Sequence, residues 1–442
     1  MADSLIKIDF SKYQKTVEKL TTNQIKGRVT ELIGLIVKAT VPGVKMGELC
    51  LIELSSRGTV LRAEVVGFKG QDGLLMPLGE LDGIAPGDYV VPTGDCLKVK
   101  VGDALLGRIL DGLGHPLDEA EKGPIVSPLE YPVHAPPPDP LRRERVNHPL
   151  SLGVRAIDAC LTCGEGQRIG LFAAAGVGKS SLMGMIARNS SADVNVIGLI
   201  GERGREVRDF LEADLGLEGM ARSVVIVSTS DQPSLVRSKA AYVATAVAEY
   251  FRDQGKKVFL MIDSITRFAR ALREIGLAVG EPPTRQGFPP SVFSTLPKLL
   301  ERSGNSDKGS ITAFYNVLVA GDDLKEPVAD EVISILDGHI ILSREMAARG
   351  HYPAIDISES ISRVMTNIID QEHMESARQL KEVVANYERE RDLILIGAYE
   401  SGSDPKVDYA IEKIQDVNQF LKQGIDEESN LDDAVEQMKG LF

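Results

Sequence analysis

The chain of 442 residues has no tryptophan, few aromatics and only four cysteines, Cys50, Cys96, Cys160 and Cys163. The missing tryptophan excludes little beyond a strong intrinsic fluorescence signal. So few thiols do not make a disulfide framework, and they suit a reducing compartment. Cys160 and Cys163 form a C-x-x-C, but no second cysteine pair or paired histidine stands at zinc spacing, and the six histidines are scattered. Their apolar setting, Ala159-Cys160-Leu161-Thr162-Cys163-Gly164, reads as buried structure rather than as a metal site. No apolar run approaches the roughly 18 residues of a membrane helix. Met1 to Leu20 lacks the apolar core of a signal peptide, so the expected location is the cytoplasm. Basic residues are outnumbered, 50 Lys and Arg against 64 Asp and Glu, and the net charge of −14 argues against broad nucleic-acid binding.

The length allows two or three domains. Residues 1–20 mix apolar and charged positions at a spacing that fits neither helix nor strand cleanly. From Gln24 to about Pro92 short β-type runs alternate with turn signals. The runs are Gly27 to Thr30, Ile33 to Val37, Leu49 to Leu54, Val60 to Phe68 and Leu74 to Met76, with Pro42-Gly43, Gly58, Asp72-Gly73 and Pro86-Gly87 between them. Many short strands at regular spacing predict a small β-barrel. A loop-like stretch dense in Pro and Gly follows, Asp111 to Pro149. From Gly153 to about Ala354 apolar strands alternate with helical patterns. The strand candidates are Val194 to Ile200, Ser223 to Ser228, Val258 to Ile262, Ile311 to Val319 and His339 to Leu342, and Ser234 to Asp253 is the longest helix. That alternation predicts a parallel sheet covered on both faces. Beyond Asp370 the pattern is helical and charged, with helices expected over Glu372 to Arg391, Lys406 to Gln423 and within Asp426 to Phe442.

The most informative stretch is Ala173-Ala174-Ala175-Gly176-Val177-Gly178-Lys179-Ser180, between the apolar run Arg168 to Phe172 and a helix-like segment from Ser181 to Arg188. Strand, glycine loop, Lys-Ser and helix is the order a phosphate-binding P-loop requires. The glycines let the backbone fold so that N–H groups point at anionic oxygens, and the helix adds the positive end of its dipole. Ala175 to Ser181 form the cradle, Lys179 would reach the β- and γ-phosphates, and the Ser180 hydroxyl would ligate Mg²⁺. Ala173 stands where the strict pattern has Gly. The predicted ligand is a nucleoside triphosphate.

Hydrolysis needs a metal-holding acid and a group that orients or deprotonates water. Val258 to Ile262 is an apolar strand ending in Asp263, which beside a P-loop would hold Mg²⁺. The strand Val194 to Ile200 ends in Gly201-Glu202-Arg203-Gly204-Arg205-Glu206, so Glu202 falls at the carboxyl edge of the sheet where ligands bind. Glu206 reads equally well as a solvated helix residue, and Arg203 and Arg205 as phosphate contacts or as partners of nearby acids. Arg363, in Ser360-Ile361-Ser362-Arg363-Val364, reads by composition alone as a surface ion-pair residue.

Together these residues resemble the ATPases of type III protein secretion, the flagellar-export and injectisome family related to rotary F-type ATPase subunits. The resemblance rests on Gly153-Val154-Arg155-Ala156-Ile157-Asp158, the P-loop, Gly201 to Val207, Asp263-Ser264-Ile265-Thr266-Arg267-Phe268-Ala269, Gly280-Glu281-Pro282-Pro283, Gly287 to Phe293, Tyr352-Pro353-Ala354-Ile355-Asp356 and Ser360 to Val364. It runs from about residue 25 to about residue 420. The Gly-Arg-Glu-Val after Arg203, the Pro-Pro-Ser-Val-Phe block, and Ile396-Gly397-Ala398-Tyr399 with Gly402-Ser403-Asp404-Pro405 look like the secretion branch rather than the rotary one.

What the resemblance implies is an α/β chain with a partner-binding segment (1–20), a β-barrel (21–95), a RecA-like P-loop ATPase domain (96–365) and a C-terminal helical domain (366–442). It implies a Mg²⁺-dependent ATPase with Glu202 as catalytic carboxylate, Lys179 and Arg203 on phosphate, Asp263 and Ser180 on the metal, and Tyr352 stacked on adenine. Arg363 becomes a finger reaching into a neighbouring subunit, which calls for a homohexamer. The implied partners are a stator-type regulator at the N-terminus, a central stalk and chaperone–substrate complexes, at the inner face of the cytoplasmic membrane and without nucleic acid. Two other readings compete. A non-catalytic rotary subunit is expected to carry Gln at the position of Glu202. A hexameric RNA translocase should show basic, aromatic-rich barrel strands, whereas Phe68 and Tyr89 stand in no basic cluster.

Overall fold

A computed structural model describes residues 10, 25–56, 58–319 and 323–442. Apart from Phe10, the segment expected to bind a partner at 1–20 lies outside the described residues. Two compact units divide between Asp95 and Cys96.

In the first unit six strands close a barrel in the order β1-β2-β5-β4-β3-β6. They are β1 (Gly27–Ile33), β2 (Ile36–Thr40), β3 (Glu48–Leu54), β4 (Thr59–Lys69), β5 (Asp72–Pro77) and β6 (Tyr89–Cys96). Side chains alternate in and out along β3, as a period of two demands. Val37, Cys50, Ile52, Val65, Leu75 and Val90 fill the interior. One expected strand, Ile33 to Val37, is instead a hairpin. Gly34 turns the chain at φ 57, β2 starts at Ile36, and Leu35 at the tip is 46% exposed. An apolar run therefore carried a strand signal across a turn that only its glycine marks.

The second unit is built on a sheet in the order β17-β16-β10-β15-β13-β11-β12-β8, with β14 (Gly304–Asn305) beside β15. Its members are β8 (Ile109–Asp111), β10 (Arg168–Ala173), β11 (Val194–Ile200), β12 (Ser223–Ser228), β13 (Lys257–Asp263), β15 (Ser310–Leu318), β16 (Gly338–Leu342) and β17 (Ile355–Ser362). A separate pair, β7 (Lys98–Val101) and β9 (Leu129–Pro132), falls partly in the Pro-rich stretch read as loop. From β8 to β16 the main strands are parallel, while the edge strand β17 runs antiparallel on β16 and the short β14 antiparallel on β15. Every residue of β11 and β12 is buried, because helices cover both faces and leave no side for polar residues.

The helices that bear on the site are α1 (Arg155–Cys160), α2 (Lys179–Asn189), α3 (Gly204–Asp209), α4 (Ser234–Asp253) and α5 (Ile265–Val279). After the sheet come α6 (Gln371–Leu395), α7 (Pro405–Leu421) and α8 (Leu431–Lys439). α4 lies against β11, β12 and β13, and its small buried residues, Ala240, Ala241, Ala244 and Ala248 among them, allow close approach. Cys160 and Cys163 are buried in this unit, and burial pushes the Cys160 thiol up to about 12. Among the described residues no helix is long and apolar enough to cross a membrane.

Candidate active site

Between β10 and α2 the chain turns through Gly176 (φ 82) and Gly178 (φ 85). Both angles lie in the left-handed region, where a Cβ is strained. A Cβ on Gly178 would also stand 3.2 Å from the Tyr352 ring, whereas nothing lies within 4 Å of one on Gly176. The loop is thus pressed by an aromatic ring on one side and open on the other. Val177 is buried and anchors it, while Ala175, Gly176 and Ser180 are exposed. The Ser181 hydroxyl meets the Asp214 carboxyl. α2 then presents its first, unpaired N–H groups and the positive end of its dipole at the loop.

The parallel register brings the acids to the same edge. Leu199 of β11 is level with Asp263 at the end of β13, so Glu202, three residues on, emerges beside it. The Lys179 ammonium lies 2.5 Å from Asp263 Oδ1, both side chains nearly buried. These are the cation and the carboxylate that a metal–phosphate group needs side by side.

Glu202 is held by a residue to which sequence reading gave no role, Arg267 in the first turn of α5. Its backbone N–H is capped by the Ser264 hydroxyl. Its guanidinium donates to the carbonyl of Gly201 and, at 3.2 Å, to Glu202 Oε2. Gly201 has φ 70, and a Cβ there would stand 2.7 Å from Arg267 Cδ, so only glycine admits the arginine. The only hint of this contact in the chain was position in the Asp263 to Ala269 block, since Arg267 lies 65 residues from its carboxylate partner.

The second oxygen of Glu202, Oε1, is buried and accepts no N–H or O–H among the described residues, while the Glu206 carboxyl lies within hydrogen-bonding reach of the Glu202 side chain. A carboxylate oxygen at the phosphate edge with no fixed N–H or O–H donor is what a bound water would satisfy. Burial, and next the charge of Asp263, push the Glu202 carboxyl up to about 7, against the opposing pull of Lys179 and Arg267. A base must be ionised to accept a proton, so kcat/KM for Mg-ATP, which reports the free enzyme, is expected to fall as pH falls through about 7, approaching tenfold per unit. A kcat/KM unchanged between about pH 6 and about pH 8 would contradict a carboxylate base at this position.

These residues fit a magnesium nucleotide: an open glycine loop, a lysine and aspartate in contact, and a buried carboxylate held in place by Arg267. Ser180 and Asp263 would hold the metal, which when bound neutralises charge on the phosphates. The other two predicted residues lie elsewhere. Arg203, just before α3, has a side chain 75% exposed and pairs with Glu206 at 3.1 Å. Arg363 follows β17; its backbone N–H bonds to the Asp337 carbonyl, and Asp337 in turn holds Arg168 at the start of β10. Its guanidinium is exposed and reaches the Ile333 carbonyl at 3.3 Å. The six residues of β10, about 20 Å of strand, separate that end of the sheet from the phosphate loop.

A parallel sheet with a P-loop, an acid-ended neighbouring strand and a buried carboxylate at one edge, in a chain that also closes a β-barrel, defines a P-loop ATPase. Known families agree. The nucleotide-binding domain of the ATP synthase alpha/beta family matches residues 153–362, and its beta-barrel domain matches residues 29–94. The T3SS EscN ATPase C-terminal domain matches residues 369–440. The flagellum-specific ATP synthase of Bacillus subtilis is 52% identical, over 94% of each chain. The type 3 secretion system ATPase of Xanthomonas euvesicatoria is 53% identical, over 96% of this chain and 95% of its own. Assembled EscN from the enteropathogenic E. coli type III secretion system superposes with a TM-score of 0.89 at 48% identity, covering 94% of this chain and 99% of EscN. The chain belongs to the family of type III secretion and flagellar-export ATPases, and it is a Mg²⁺-dependent, ATP-hydrolysing enzyme. The secretion-type C-terminal domain favours this branch over a rotary F- or V-type subunit.

Proposed function

We propose that the chain is the ATP-driven motor of a type III export apparatus and works as a ring of identical subunits, each site shared between two neighbours. One subunit supplies the phosphate loop with Lys179 and Ser180, the acid Asp263, the catalytic base Glu202 and the stacking ring of Tyr352. The next supplies Arg363. Arg203, free of the loop in its own chain, takes a phosphate contact once nucleotide draws it in. The observation that carries this is the position of Arg363. It is exposed and about 20 Å of strand from its own phosphate loop, so any γ-phosphate it stabilises belongs to another copy. A ring of one kind of chain satisfies that need everywhere at once.

The assembled state of EscN supports the ring. EscN has also been solved with its central stalk EscO, and we extend a stalk partner to this chain by that likeness. The likeness covers 94% of this chain at 47% identity. A stator-type regulator at the N-terminal segment, chaperone–substrate complexes at the C-terminal helices, and a peripheral seat at the cytoplasmic membrane complete the proposal. Since an isolated subunit lacks half a site, specific activity should rise with protein concentration until the ring is saturated. The test is the Mg-ATPase rate across a dilution series. Constant specific activity down to concentrations at which the chain sediments as a monomer would overturn the shared site.

A further inference from the structure

The connector between α7 and α8 is fastened to the nucleotide site by an unusual set of buried bonds centred on Gln423. Its side chain is almost fully buried and fully used. Oε1 accepts from the Arg155 backbone N–H at 2.8 Å, and Nε2 donates to the Gly153 carbonyl at 2.9 Å and to the Glu427 carbonyl at 2.8 Å. Its own backbone N–H donates to the carbonyl of Tyr352 at 3.0 Å. Around it the Arg155 guanidinium donates to the carbonyls of Phe420 at 3.0 Å and Lys422 at 2.6 Å and pairs with the Glu427 carboxylate. Arg188, in the last turn of the P-loop helix, donates to the Ile425 carbonyl at 2.8 Å. The connector is therefore bound at three places: the start of α1, the end of α2, and Tyr352.

Tyr352 alone among these touches the phosphate loop, its ring packed over Gly178 while 44% of the residue stays exposed. An exposed aromatic keeps one orientation only if its backbone is held. The Gln423 backbone N–H holds the Tyr352 carbonyl, and the Gln423 side chain is itself locked to the start of α1. We infer that Gln423 is a positioning residue for the nucleotide base. It holds the Tyr352 carbonyl, and so keeps the ring at the angle at which a purine stacks, without touching phosphate or metal. This rests on the reading of Tyr352 as the base-stacking residue.

Gln423→Leu keeps the bulk and removes the three side-chain bonds, which leaves the connector free to shift. The expected result is a KM for ATP raised about tenfold with kcat changed less than about twofold, since stacking contributes to binding and not to phosphoryl transfer. Inorganic pyrophosphate has no base, so its inhibition constant should stay within about twofold of the native value. In the background of Tyr352→Ala, adding Gln423→Leu should cost nothing more, because its effect runs through the ring. Weakening of ATP and pyrophosphate alike, or full additivity with Tyr352→Ala, would overturn the positioning role. If Tyr352→Ala itself leaves ATP affinity unchanged, the stacking assignment fails, and that result is distinct from a silent Gln423→Leu beside a damaging Tyr352→Ala. Should Gln423→Leu melt early, Gln423→Glu serves, since it keeps the acceptor for Arg155 and loses the donor to Gly153 and Glu427. A Gln423→Glu chain with native KM would overturn the inference.

Discussion

Glu202→Gln should bind Mg-ATP as the native chain does and hydrolyse it about 10²- to 10⁴-fold more slowly. Binding should survive because the amide keeps the volume and an oxygen that can still accept from Arg267 Nη2. Neither the glycine loop nor Lys179 depends on Glu202 for its placement. Turnover should fail because an amide cannot take a proton from water. The surroundings of Glu202 suit that step: Arg267 fixes one oxygen, the other has no N–H or O–H donor among the described residues, and burial with Asp263 brings the carboxyl to about 7. Glu206, the neighbouring alternative, shares a hydrogen bond with Glu202 and pairs with Arg203, and these hold its carboxyl below the usual carboxylate range, so the proton of the pair resides on Glu202. Equilibrium binding of a fluorescent nucleotide and steady-state hydrolysis separate the two effects. A Glu202→Gln enzyme within about tenfold of native turnover, with Glu206→Gln inactive, would exchange the two roles.

The second large effect is expected at Arg363, where removal of a cation from the transferring phosphoryl group costs about 10³- to 10⁵-fold in kcat. Arg363→Ala should nevertheless fold and bind ATP normally. Among the described residues the guanidinium makes one long bond, 3.3 Å, to the Ile333 carbonyl, and the residue is exposed. Loss of such a surface contact changes stability little. A large kinetic defect in a stably folded chain would show that Arg363 acts on the phosphoryl group, and its distance from its own phosphate loop would then assign it to a neighbour's site. A stable Arg363→Ala chain with native kcat would leave the arginine a surface residue, the reading its composition alone suggests.

The interior of the sheet was legible because burial on both faces writes itself as continuous apolar runs. Val194 to Ile200, Ser223 to Ser228 and the helix Ser234 to Asp253 coincide with their elements. At the margins that signal fades. β17 is an edge strand whose Ser358, Glu359 and Ile361 are exposed, and its polar pattern did not announce a strand. The Ile33 to Val37 run misled because apolar residues occupy a hairpin tip. In the site, the phosphate loop and Asp263 are local patterns, one the order strand–glycine–Lys–Ser–helix and the other an apolar strand with a terminal acid. Arg267 and Gln423 are not local. Each matters through partners distant in sequence, and a glutamine near a helix end reads as solvated until the fold brings Gly153, Arg155 and Tyr352 around it.

The most direct test of a shared active site is the Mg-ATPase rate of Glu202→Gln and Arg363→Ala chains mixed in equal amounts and allowed to assemble. Each variant alone should be nearly inactive. In a randomly mixed ring about one quarter of the interfaces pair a native Glu202 with a native Arg363, so the mixture should recover roughly a quarter of native turnover. A mixture no faster than the mean of the two variants measured separately, under conditions in which they demonstrably co-assemble, would mean that each chain completes its own site and would contradict the ring.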